Sequence, residues 1–102
     1  MSITAKQRQF LKGLAHPLSP VVRVGKSGVS DSVIAETNKS LQAHELIKVR
    51  IDGEERRELA EKLAAATESH LAGIIGKTAI LYRRRDENPK IKLPRAAGRG
   101  DS

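Results

Sequence analysis

The sequence has no cysteine and no tryptophan, and its aromatic residues are one phenylalanine, Phe10, and one tyrosine, Tyr82. Lack of cysteine excludes a disulfide framework and any thiolate metal site, and suits a reducing compartment. A core without aromatics must be assembled from Leu, Ile, Val and Ala. Little is left on which a nucleobase could stack: Phe10 reads as a core residue, so Tyr82 is the remaining candidate. No apolar run approaches the length of a membrane span, and the opening Met-Ser-Ile-Thr carries no apolar signal region. The expectation is a cytoplasmic protein with no membrane partner.

Catalytic and cofactor patterns are missing too. His16, His44 and His70 have no ligand-like spacing, so no metal is expected. The carboxylates of segment 54–68 alternate with Arg56, Arg57 and Lys62, as on a solvated helix face. A Gly-Lys followed by Ser or Thr occurs twice, at Gly25 and at Gly76. A phosphate-binding loop also needs a glycine five positions earlier, where this chain has Pro20 and Leu71, which excludes nucleotide hydrolysis. Neither an enzymatic activity nor a cofactor is expected.

What the sequence does have is positive charge. Its 102 residues include 19 Lys and Arg against 12 Asp and Glu, a formal net charge of +7. The length suits one small domain, and the charge favours a polyanionic partner. Residues 83–102 hold seven basic and three acidic residues. The natural division is a domain over 1–83 and a basic, largely flexible tail over 84–102.

The spacing predicts the order α-β-α-β-α-β-β. Thr4 and Gln7 have capping-box spacing for a first helix with Phe10, Leu11 and Leu14 on one face, ended by Gly13 and His16-Pro17. A β-branched strand over 20–24 follows, then a second helix capped by Ser30 with Val33, Ile34, Thr37 and Leu41 in a stripe. Leu46–Ile51 alternates as a strand, with Ile47, Val49 and Ile51 opposite Leu46, Lys48 and Arg50. Asp52 with Glu55 offers a capping box for a helix over 54–68, with Leu59, Leu63 and Ala66 inward and Glu58–Lys62 as a surface pair. Two runs around Gly76-Lys77 form a hairpin with a type II′ turn, and residues 90–93 could add an extended edge segment. The fold expected is a two-layer α/β sandwich on a mixed four-stranded sheet. Three helices look too few to cover both faces, which would leave the Lys48 and Arg50 side open and basic.

The most informative local feature is Gly25-Lys26-Ser27-Gly28, between a strand and a helix start. Paired glycines let the backbone turn sharply and approach a ligand, while the helix N-terminus offers amides and a positive dipole end. Such a G-x-x-G loop can clamp a nucleic-acid backbone. Lys48, Arg50, Lys77 and the run Arg83, Arg84, Arg85 complete the candidate RNA-binding residues.

Taken together, LKGLAHPLSPVVRVGKSGVS at 11–30, HELIKVRI at 44–51, IIGKTAILYR at 74–83 and KIKLPR at 90–95 resemble the CRM domain (chloroplast RNA splicing and ribosome maturation), in its stand-alone bacterial YhbY-like form. The resemblance implies a fold similar to the C-terminal domain of translation initiation factor three, with residues 25–28 as an RNA-contacting loop. It further implies a ribosome assembly factor acting on precursor ribosomal RNA of the large subunit. Ribosomal proteins are candidate further partners, and a monomer is the default expectation. The alternative is a protein-interaction adaptor that docks on a ribosomal protein, its charge incidental.

Overall fold

A computed structural model describes residues 3–95. Its elements are α1 (Ala5–Ala15), β1 (Pro20–Val24), α2 (Asp31–His44), β2 (Leu46–Ile51), α3 (Arg56–Thr67), β3 (His70–Ile75) and β4 (Thr78–Tyr82), the order the spacing predicts. The four strands form one mixed sheet in the order β1-β2-β4-β3. β1 and β2 are parallel neighbours joined through α2. β4 inserts between β2 and β3 and pairs antiparallel with both, so those two strands run the same way without touching.

Local chemistry explains the element ends. The Thr4 hydroxyl accepts from the Gln7 amide while the Gln7 side chain accepts from the Thr4 amide, a complete capping box. Gly13 does not stop α1, which runs on to Ala15 with His16 as its C-cap. Ser30 caps α2 through the Val33 amide. The expected Asp52–Glu55 box does not form: the N-cap of α3 is Glu55, without a side-chain cap, so Asp52 lies three residues before it and is held instead by two arginines described below. At the β3–β4 turn only Gly76, of its two residues, has positive φ, at 60°, as a type II′ turn requires.

Helices pack on both faces of the sheet. On one side α2 and α3 enclose Val22, Val24, Leu41, Ile47, Val49, Ile51, Leu63 and Leu81. The inward stripe of α3 is Ala60, Leu63, Ala64 and Thr67, so Ala66 faces out. Its i,i+4 ion pair is the loose 3.9 Å approach of Arg57 and Glu61 rather than Glu58 with Lys62. On the other side α1 buries Leu11 and Ala15 against Leu46, Ala72, Ile80 and Tyr82, with Ile3, Ile91 and Leu93 packed around them. The open second face expected from a helix count is therefore half closed. α1 packs on β2, β3 and β4 rather than across the whole sheet, leaving the Arg23 and Arg50 end exposed. The turn of α1 also differs by one position: Phe10 is 39% and Leu14 41% exposed, while Tyr82 is only 3% exposed. The two aromatics thus exchange their expected places.

The fold continues beyond residue 83. Glu45, between α2 and β2, is buried at a φ of 64°, and its carboxylate accepts from the backbone amides of Arg85 (2.9 Å), Lys90 (2.7 Å) and Ile91 (3.0 Å). Farther along, the Gln7 side chain donates to the Pro94 carbonyl at 2.8 Å. Residues 85–94 are thereby fastened to the body instead of forming a loose tail, and 90–93 pack on the core without adding a strand. The expected disorder after Pro94 falls mainly on 96–102, outside the described residues.

Candidate nucleic-acid interface

The loop at 25–28 leaves the C-terminal end of β1 and enters α2. Gly25, Lys26 and Ser27 are exposed, so a large anion can reach them. Gly28 has a φ of 68°, where a side chain is disfavoured, and its amide donates to the Gly25 carbonyl at 3.0 Å. That bond closes the turn and removes one amide from those expected to face a phosphate. A cleft beside the loop is lined by Gly25, Lys26 and Gly28 on one side and by Asp52, Glu54 and Glu55 on the other. The carboxylates disfavour an anion deep within this cleft, so a phosphate would meet the loop at its exposed residues Gly25, Lys26 and Ser27.

Arg23 and Arg50 are paired neighbours in β1 and β2. Both reach Asp52, Arg23 at 2.8 Å and Arg50 at 3.2 Å. Hydrogen bonds from Arg23 and then Arg50 outweigh the modest desolvation and hold the Asp52 carboxyl below its ordinary range. One carboxylate shared by two exposed guanidiniums leaves a net positive pair fixed in position. Arg23 escaped the sequence reading because its alternation with Val22 and Val24 looks like ordinary strand patterning. Only the parallel register puts it beside Arg50.

The other expected residues divide sharply. The Lys48 ammonium donates to the carbonyls of His16 (3.1 Å) and Leu18 (3.0 Å), so this lysine closes the end of α1 and is only partly exposed. Lys77 is exposed at the hairpin turn, where its carbonyl accepts from Ile51. Within the arginine run, Arg83 bonds the Asn38 side chain, the Asn38 carbonyl and the Thr67 carbonyl, joining α2 to the end of α3. Arg85 donates to the Gln42 and Ala43 carbonyls at the end of α2 and to the Asn88 carbonyl of its own segment. Arg84 alone of the three is exposed, beside a groove shared with Pro89 and Lys92. Three successive arginines on an extended chain cannot all face the same way, and here two of them became braces.

Lys26, Arg23, Arg50 and Lys77 therefore gather where the GxxG loop, the 52–55 turn and the hairpin meet, with Lys48 behind them and Arg84 apart. Such an arrangement can bind phosphates by charge and backbone amides; among the described residues there is no cluster of side chains suited to a metal.

The profile of the CRS1 / YhbY (CRM) domain matches residues 3–83. A Bacillus subtilis protein named "Probable RNA-binding protein YqeI" is 41% identical over 95 residues, which cover 90% of this chain and 99% of that one. A Haemophilus influenzae protein named "RNA-binding protein" is 41% identical over 97 residues, covering 92% and 97%. Among solved structures, the hypothetical protein SAV1595 of Staphylococcus aureus, described as a candidate RNA binding protein, superposes with a TM-score of 0.80 at 38% identity, covering 90% of this chain and 99% of that one.

Proposed function

Because the chain belongs to the CRS1 / YhbY (CRM) domain family, we propose that it is a non-enzymatic RNA-binding protein that assists assembly of the large ribosomal subunit by binding its precursor RNA. The observation that carries the proposal is the exposed Gly25-Lys26-Ser27-Gly28 turn, opening onto α2 beside the Arg23–Arg50 pair. RNA binding is also what the names of relatives about 40% identical state of those proteins. The chain's residues would contribute in different ways: Lys26, Lys77 and Arg84 as direct phosphate contacts, Gly25, Ser27 and Gly28 through the shape and amides of the turn, and Arg50 as half of a fixed cationic pair. Lys48, Arg83 and Arg85 would support that surface.

Charge, with Phe10 as the one exposed aromatic among the described residues, predicts binding that depends on salt and tolerates many sequences. With roughly six phosphates neutralised, affinity should fall about 10³-fold between low and moderately high salt. Fluorescence anisotropy with a transcribed fragment of large-subunit RNA provides the test. Lys26→Ala with Arg84→Ala should weaken several structured RNAs about equally, by roughly tenfold. Unchanged binding by that double variant would remove the loop and Arg84 from the interface. Sedimentation of cell extract before and after ribonuclease treatment addresses the adaptor alternative, since docking on a ribosomal protein would survive loss of RNA.

A further inference from the structure

The opposite edge of the sheet carries a second cationic group. β3 is an edge strand, and its pairing with β4 shifts register between Leu71 and Gly73. Gly73 is a glycine for a reason unrelated to φ: a Cβ there would run into the Cε of the Lys12 side chain. The missing side chain is the space through which Lys12 crosses from α1 over the strand. A glycine inside a strand often marks such a close approach.

Lys12 belongs to two adjoining concavities. One, of about 380 Å³, is lined by Arg8, Lys12, Arg57, Glu61 and the β3 residues 71–74. The other holds Lys12 with His16, Lys48, Ile75 and Thr78. Arg8 also donates to the Ile3 carbonyl, and Arg57 lies 3.9 Å from Glu61. Three cations from α1 and α3 thus face one carboxylate across an exposed strand edge. Lys48, in the second concavity, continues the positive surface toward β2, where Arg50 and Arg23 begin the group at the GxxG loop.

We propose that Arg8, Lys12 and Arg57 form a second phosphate-binding site, so that one RNA strand or helix crosses the sheet from the GxxG loop to the β3 edge, with Gly73 holding the Lys12 ammonium in place. The site depends on the chain's binding RNA and extends that function to a surface distinct from the loop. Negative charge at the loop cleft and positive charge at the β3 edge together direct the polyanion away from Glu54 and Glu55 and along this path.

Anisotropy with a fluorescein-labelled RNA stem-loop across a salt series tests it. Lys12→Ala should weaken binding about three- to tenfold and reduce the slope of log affinity against log salt by about 0.7 to 0.9, one phosphate contact. Gly73→Ala keeps the net charge, and the obstacle it meets is a flexible side chain, so the fold should survive while affinity drops severalfold. Lys39→Ala removes an equal charge from the exposed face of α2 and should leave binding nearly unchanged. Parent-like affinity in both Lys12→Ala and Arg8→Ala with Arg57→Ala, while Lys26→Ala still weakens binding, overturns the second site alone. An equal loss in Lys39→Ala overturns it as well, since net charge would then be the cause. If the parent chain fails to bind the RNA at all, both the site and the RNA-binding function fall.

Discussion

Glu45 is the residue at which sequence and structure differ most in meaning. On paper it is one acid among twelve; in the fold it is buried and receives three backbone amides of the 85–91 segment. Burial pushes its carboxyl up, but the Arg85, Lys90 and Ile91 amides and the Arg85 charge pull it down further, so its net shift is below the ordinary range. A depressed carboxyl stabilises the fold above the ordinary glutamate value, and that contribution disappears as pH falls through the folded value. Glu45→Gln, which turns an amide donor toward backbone donors, should therefore cost about 1–3 kcal/mol near neutral pH. Denaturant titrations of parent and variant should converge as pH falls below the ordinary glutamate range. Asp52 titrates in both proteins, so the difference isolates Glu45. Its φ of 64° adds a backbone cost, and Glu45→Gly should be more stable than Glu45→Ala by about 1 kcal/mol. Equal stability of those two would mean that the conformation relaxes without the carboxylate.

Among elements, α1 shows what sequence reading can and cannot supply. Its start was legible because a capping box is local chemistry: Thr4 and Gln7 are three residues apart and bond each other. Thr4→Ala should cost about 1 kcal/mol of stability, measurable by thermal or denaturant unfolding. Its inward face was not legible, because Phe10-Leu11 and Leu14-Ala15 offer two stripes one position apart. The sheet selects the smaller side chains, Leu11 and Ala15, allowing close approach to Ala72. Strand β2 was legible in period, yet its second face could not reveal that α1 would cover Leu46 while leaving Arg50 outside. Lys48, midway between, closes the helix end. The candidate site follows the same division. The GxxG turn needed only its own four residues, whereas Arg23, Lys12 and Arg57 became neighbours of other cations only through strand register and helix placement.

At the scale of the whole molecule, the family profile ends at residue 83 while the packed body extends through Pro94. Cutting the chain after Arg84 would remove the amides that satisfy Glu45, the Ile91 and Leu93 side chains from the α1-side cluster, and the Gln7–Pro94 link. Partial burial of two such side chains is worth about 1 kcal/mol or more each, so the shortened chain should lose several kcal/mol. The more diagnostic effect is at Glu45. In the full chain the carboxylate is matched by three donors, and an amide in its place is worse. In the shortened chain those donors are gone and the carboxylate is opened to water, so an amide in its place costs little. Glu45→Gln should therefore destabilise the full chain but be nearly neutral in the chain ending at Arg84, a coupling of about 1 kcal/mol or more in a double-variant cycle. Equal effects in the two lengths would show that Glu45 acts only on the α2–β2 turn.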